Sequence, residues 1–412
     1  MDMSKCRQYA VFFFAYAAAQ AAGLEWPRFG GPNGNFITDT TKLAEQWPAS
    51  GPKKLWSREL GEGYSGIAVD GPTLYSMYRR AEQEVTVAIS AATGKTLWEH
   101  AVTAKFRPGM QMQFGPGPHA TPLVTANSVC SVGILANLVC FEKATGKVLW
   151  SHDLASEFGA SVMDRGFAVS PIAWKSTVIM KVGGSGNAFV AFDQNSGKLL
   201  WKKLSFENSP GTPILIRIDG QDQMIATTAE GLVGVNPDNG ALLWSHGHST
   251  SFGLNIAPPL WTAGNILIVS SAYTGGARAI ELHVVEGKTV VKELWNTNRL
   301  RVHHGNLVRV GDIVFGSSGD FGPIPLTAID VHTGKVLWQN RNLPRAMFLQ
   351  SGEKIIALDE DGNLSLTRFQ PDGLQVLAQA SVLANNSWTA PSLAGTLLYA
   401  RDRRTLIALD LR

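Results

Sequence analysis

The sequence predicts an all-β chain: an eight-bladed β-propeller of four-stranded antiparallel blades, closed by pairing an N-terminal strand with the C-terminal blade. Three observations carry this expectation. One phrase recurs along the chain: an apolar strand, a Thr/Asn/Ser–Gly turn, and a short strand ending in Trp. Its copies end at Trp98, Trp150, Trp201, Trp244, Trp295 and Trp338, spaced 52, 51, 43, 51 and 43 residues apart. Each interval is the size of one four-stranded blade. The two ends of the chain hold complementary fragments of the same unit.

The units run 65–100, 119–154, 169–204, 211–247, 256–298, 301–341 and 345–382. The first opens on apolar strands and closes with AISAATGKTLW. The second and third close with VCFEKATGKVLW and VAFDQNSGKLLW, the fourth with VGVNPDNGALLW. The fifth, HVVEGKTVVKELW, has diverged, and the sixth returns to TAIDVHTGKVLW. Alternating apolar residues before each turn mark a half-buried strand. The glycines at 94, 146, 197, 240 and 334 supply the positive φ of a tight turn. The tryptophan is expected to dock against the turn of the neighbouring blade, its N–H on a carbonyl there. Most units also open with a proline, as in HATPLV and VSPIAW, tolerated where a strand begins because no ladder donor is lost.

The seventh unit keeps a strand–turn–strand outline, LSLTRFQPDGLQVLAQ, without the Trp phrase. Residues 388–412 then supply three strands and stop where the glycine turn is due. The missing Trp strand, KKLWSREL, lies at 53–60. Joining the two closes the ring and removes its exposed edges.

Residues 1–22 have the character of a signal peptide: Lys5 and Arg7, an apolar run from Tyr9 to Ala19, then small residues. That run is shorter than the roughly 20 residues of a spanning helix, and Cys6 precedes it. The expected product begins near 23, is periplasmic or secreted, and carries no integral membrane segment. Residues 23–52, with WPRFGGPNGN at 26–35, are expected to pack irregularly across the propeller, leaving 53–412 for the ring. Removing 1–22 lowers the net charge from +3 to +2, which argues against a nucleic-acid partner. Cys130 and Cys140 fall on two strands that could pair; buried free thiols are favoured over a disulfide.

With these residues on the page, the chain resembles the pyrroloquinoline-quinone-type propeller repeat. That repeat is shared by quinoprotein alcohol dehydrogenases and by the lipoprotein propeller of the outer-membrane β-barrel assembly machinery. WPRFGGPNGN (26–35), FGPGPHATPLV (114–124) and WTAPSLAGTLLYARD (388–402) are similar to segments of exported bacterial propellers of this type. The resemblance implies the fold; function depends on sites. The quinone enzymes carry adjacent cysteines over the cofactor, a Ca²⁺ and a catalytic Asp. This chain has no adjacent cysteines and no segment matching their metal-ligand motif. No H-E-x-x-H, C-x-x-C, phosphate loop or G-x-S-x-G occurs. DEDGN (359–363) and GGSGN (183–187) are expected to be turns rather than ion or nucleotide loops.

Loops entering the inner strands ring the mouth of a propeller channel. The candidate ligand-binding residues there are Tyr64, His119, Arg165, Asn255, His303, His304, Arg345 and Trp388. Together they form a moderately basic funnel, and for each the competing role is a satisfied polar residue at a strand start. The His303–His304 pair, read as strand, would point to opposite faces and could not easily share a metal, leaving one of the two to face the channel. The loop 105–118 is long for a blade connection. The expected function is a non-catalytic scaffold binding an envelope protein or small ligand at the propeller face, with no catalytic residue, metal or cofactor. One alternative is a divergent dehydrogenase using pyrroloquinoline quinone with Ca²⁺. The other is a carbohydrate-binding propeller using Trp174 and Trp261.

Overall fold

The apolar runs of the repeat become the third strand of each blade, and the TGKxxW stretch becomes the fourth. A computed structural model describes residues 25–412 except 41, 323 and 385; the signal peptide expected at 1–22 lies outside the described residues. Eight sheets form the ring. Seven blades follow the chain at 68–103, 123–153, 172–203, 214–247, 260–297, 308–340 and 346–381. In the eighth, Ser392–Ala394, Leu397–Arg401 and Thr405–Asp410 are joined by the N-terminal strand Lys53–Glu59. The seam is antiparallel, with Lys53 opposite Asp410 and Glu59 opposite Thr405. Among the described residues no helix is long and apolar enough to cross a membrane.

The Trp phrase shows why the repeat is built as it is. Each Trp faces a small residue on the third strand: Ala88, Cys140, Ala191, Gly234, Ala279, Ala328 and, across the seam, Ala408. A register shift follows that pair in every blade, which twists the fourth strand. The indole then lies on the glycine turn of the next blade. A Cβ at Gly146 would stand 2.5 Å from the Trp98 ring, and one at Gly197 2.6 Å from Trp150; both glycines have φ near +70°. The indole N–H donates to a carbonyl of that turn: Trp56 to Ala91 (2.8 Å), Trp98 to Lys143 (3.0 Å), Trp150 to Gln194 (3.0 Å) and Trp295 to Val331 (2.8 Å). Trp338 reaches Gln370 at 3.1 Å.

Trp201 lies over the Gly240 turn, but its N–H has no partner among the described residues. Two other exceptions have local causes. Trp244 donates instead to Gln223 of its own blade at 2.8 Å, because blade 5 replaces the usual turn with two ten-residue strands joined at Glu286–Gly287. Blade 7 has Ala378 opposite Leu366 in the Trp position. The next blade is the seam, where third and fourth strands come from opposite chain ends, so no glycine turn is there to receive an indole.

Cys130 and Cys140 are disulfide-bonded, a correction to the expectation of free thiols. They are direct partners on the second and third strands of blade 2, 4.0 Å apart at Cα, so the pairing register brings the sulfurs together.

The segment after residue 24 crosses one end of the channel. Glu25–Trp26 adds to the inner strand of blade 1, and Ile37–Thr38 runs parallel to that of blade 7. Beyond it, Thr40 Oγ1 donates to the Gly395 carbonyl at 2.9 Å and Lys354 Nζ to that of Leu43 at 2.8 Å. All these partners lie where first strands turn into second strands. The stretches entering the first strands are therefore at the opposite, unplugged end.

Candidate functional site

At the unplugged end, side chains from several blades meet in one arc of rings. Tyr64 stacks on His119 (centroids 6.1 Å, 8°) and on Trp388 (5.4 Å, 29°). Trp388 meets His304 at 5.2 Å, and His304 meets His303 at 5.0 Å. His303 meets Tyr273 edge-on at 4.9 Å, and its Nε2 pairs with the Tyr273 hydroxyl at 2.8 Å. Phe252 and Phe321 extend the arc from Tyr273 at 5.3 and 6.2 Å, and Phe114 extends it from Trp388 at 6.5 Å.

Local structure places each member. The 105–118 loop folds back over the mouth: Gln111 N–H donates to the Asp164 carbonyl at 2.8 Å, and the Tyr64 hydroxyl donates to that of Phe114. Gly115 permits this approach, since a Cβ there would lie 2.5 Å from the Tyr64 ring. A short helix, α1 (Leu154–Phe158), is capped by Asp153 and ended by left-handed Gly159. It turns the chain toward Arg165, whose guanidinium lies 4.6 Å over Phe114 and whose carbonyl meets His119 Nε2 at 3.0 Å.

His303 and His304 lie in a bend rather than a strand. This corrects the opposite-face expectation: Val302 bridges Ser318, the ladder stops, and the rings become neighbours. Arg345 Nη1 donates to His304 Nε2 at 3.2 Å, and Arg345 also pairs with Glu360 at 3.4 Å. Glu360 accepts from the Trp388 indole at 3.2 Å, and Arg301 faces Asp320 at 3.6 Å. The basic funnel is therefore largely neutralised, while Arg165 forms no ion pair among the described residues. Burial, reinforced by Arg345, pushes the His303 imidazole down to about 4, and burial beside His303 and Arg345 holds His304 well below the usual range. Burial also lowers His119 and raises the Tyr273 and Tyr64 phenols. The mouth presents neutral rings at neutral pH.

Seven of the eight candidates thus stand together. Asn255 does not: it is 0% exposed. Its amide donates to the carbonyls of Thr228 (2.7 Å) and His248 (3.0 Å) and accepts from Ser271 (2.6 Å). It ties blade 4 to blade 5, with its amide taken up by these partners. Reading only strand entries missed Tyr273, Asp320, Phe321 and Glu360, which sit in loops between second and third strands at the same end. A repeat alignment showing aromatic or acidic residues in those turns is the signal for them.

The residues do not fit a quinone–Ca²⁺ centre of the dehydrogenase kind. The one cysteine pair joins strands inside blade 2. Asp320 and Glu360 each pair with an arginine, and among the described residues no three His, Cys, Asp or Glu side chains converge as metal ligands. DEDGN is a turn: Asp359 accepts from the backbone N–H of Asp361 (3.0 Å) and Asn363 (2.8 Å). At the plugged end, a cavity of about 200 Å³ separates residues 33–36 from the inner strands of blades 4 and 5 and reaches Trp261. Trp174 donates to Asp238 at 2.8 Å.

The solved structure of BamB from Moraxella catarrhalis is similar in fold: 17% identical, TM-score 0.61, covering 87% of this chain and 99% of that one. Quinohemoprotein alcohol dehydrogenase from Comamonas testosteroni is 12% identical, with TM-score 0.51, covering 96% and 82%. A europium-containing methanol dehydrogenase is 10% identical, with TM-score 0.53, covering 94% and 89%. These likenesses concern the fold alone. No curated protein matches the sequence. The family model of the outer membrane protein assembly factor BamB matches residues 81–340, more than half of the sequence, and the chain belongs to that family.

Proposed function

We propose that the protein is a non-catalytic scaffold of the bacterial envelope, periplasmic or secreted, that docks a partner protein on the channel-mouth face. One observation carries this reading. Three phenylalanines stand exposed around a single opening: Phe321 at 78%, Phe252 at 68% and Phe114 at 47%. Their rings continue an arc of Tyr, His and Trp that the fold holds in place. Exposed aromatic surface of this kind marks interaction sites, and aromatics with arginine dominate binding hot spots. The family's name, an outer membrane protein assembly factor, supports a protein partner in the envelope. A dehydrogenase role lacks support from the donor set described above, and no step is assigned to a quinone.

A photo-crosslinking residue placed at 252 or 321, with controls at 97 and 200 on outer strands, tests the reading in cells. Adducts to one shared protein from 252 and 321 alone are expected. Adducts confined to 97 and 200 would move the interface to the blade rims.

A further inference from the structure

The blades are not finished alike on their channel side. Blades 1 and 7 are five-stranded, because Glu25–Trp26 and Ile37–Thr38 add to the free edges of their first strands. In blade 2 the Val124 N–H donates to the Pro27 carbonyl at 2.7 Å. The edge N–H groups of blade 7 are all matched. Ala346 donates to Ser317 Oγ (3.1 Å), Phe348 to Asn306 Oδ1 (2.9 Å) and Gln350 to the Phe36 carbonyl (2.8 Å).

The first strand of blade 4, Ile214–Ile218, has no such cover. It is five residues long, against three in blades 3, 5 and 6. Its register decides which groups face the channel. The Asp219–Gly220 turn, with both φ positive, makes Ile218 and Gln221 a hydrogen-bonded pair. On the next strand, the Thr228 N–H on the Gly231 carbonyl commits Ala226 and Met224 to the third strand. Ile214, Ile216 and Ile218 therefore bond the second strand, and the N–H and C=O of Leu215 and Arg217 point to the channel. Among the described residues these backbone groups have no hydrogen-bond partner. Leu215 is half-buried and Arg217 exposed, so the edge is open to solvent.

Space for another strand lies against this edge. The cavity of about 200 Å³ is walled by Ile214–Arg217, by Asn33–Phe36 and by Pro258–Trp261. A second space of about 600 Å³ adjoins it, sharing Phe36, Leu260, Trp261 and Leu307. Ile214, Ile216 and Ile218 pack toward blade 5, in one cluster with Leu267 and Val269. A side chain of an added strand on that face of the sheet meets Leu260 and Trp261.

We propose that the free edge of blade 4 takes up an extended segment of a partner polypeptide as a fifth strand. The segment's main chain bonds Leu215 and Arg217, and a large apolar side chain between the two bonding residues enters the cavity beside Leu260 and Trp261. A polypeptide fits because the unmatched groups are a row of main-chain donors and acceptors. The protein itself fills the same edge with strands at blades 1 and 7. The site lies at the opposite end from the phenylalanine rim and does not depend on docking there.

The probe is a random twelve-residue peptide library displayed on phage and selected on the full-length protein. Arg217→Pro removes the outward N–H and sets a ring on the free edge, while the ladder to the second strand stays intact, as proline at an edge position allows. Arg217→Ala keeps the N–H. A set of selected peptides should bind wild type and Arg217→Ala alike, and Arg217→Pro at least about tenfold more weakly, through a lost hydrogen bond and a blocked approach. A large apolar residue should recur in that set. In a synthetic member, single N-methylation should abolish binding at every second residue only, and the unmodified peptide should slow amide exchange at 214–217. Full-strength binding of every selected peptide to folded Arg217→Pro would overturn the proposal. N-methylation tolerated at all positions would also overturn it, whether or not Arg217→Pro folds. If every peptide is lost on Phe252→Ser/Phe321→Ser and none on Arg217→Pro, recognition lies at the mouth and the proposal fails. Slowed exchange at 214–217 with cellobiose and none with peptide would assign the groove to a saccharide and overturn it.

Discussion

Replacing Trp295 by Phe should cost more stability than the same change at Trp201, by about 2–3 kcal/mol. The two positions are matched. Each indole lies over the glycine turn of the next blade, with a hypothetical Cβ at Gly334 or Gly240 standing 2.7 Å from the ring. Each faces an alanine on the third strand. The change to Phe removes a comparable slice of aromatic surface at both, so that loss cancels in the comparison. The N–H groups differ. Trp295 donates to the Val331 carbonyl at 2.8 Å, whereas the buried Trp201 Nε1 has no partner. Trp295→Phe removes this bond and strands the Val331 carbonyl, a cost of ~1–3 kcal/mol. Trp201→Phe removes an unpaired donor, recovering part of a desolvation cost. Equilibrium urea denaturation of both variants, compared at constant m, reads the difference. A Trp201 variant destabilised as much as the Trp295 variant would refute the idea that the N–H anchor, and not the ring alone, couples the blades.

Three further outcomes follow from the same structure. Deleting 388–412 should leave Lys53–Glu59 without its partner strand and abolish the cooperative transition; a folded, cooperative product would contradict the closed ring. Cys130→Ser/Cys140→Ser should lower stability by about 2–3 kcal/mol, and the wild type treated with reductant should show the same loss in urea. Histidine burial should make the fold acid-sensitive. His248 and His303 are pushed from 6.5 to about 4, so unfolding takes up protons below pH 6.5. Their contribution is fully present above that value and is lost as pH falls through about 4. Glu84, raised by burial from 4.5 to about 7, works oppositely: its contribution is full below 4.5 and lost as pH rises through about 7. Glu84→Gln should therefore sharpen the loss of stability on acidification between pH 7 and 4.5, read as urea midpoints across pH.

The ring was legible in the sequence because the repeat states its own packing. The Gly–Trp spacing predicts which residue meets which, and the unmatched fragments at 53–60 and 388–412 predict the seam. The mouth was legible only in part. Tyr64, His119, Arg165, Arg345 and Trp388 follow from a topological rule about strand entries. That rule cannot say whether an entry residue faces the opening or the next blade. Asn255 satisfies the rule, yet two carbonyls and a serine hydroxyl claim it. The histidine pair escapes a strand period because its residues lie in a bend. Tyr273 and Phe321 belong to other loops that topology brings to the same end. The disulfide depended on register, which the ten-residue spacing alone does not set.

Amide hydrogen exchange of the intact protein, with and without the partner captured at position 252, tests the location of the docking face most directly. Protection is predicted in 111–116, 250–255, 271–275, 301–306, 318–322 and 387–390, the loops that carry the arc. Protection confined to the outer strands Thr96–Thr103 and Leu199–Lys203, with the mouth loops exchanging as in the free protein, would contradict it.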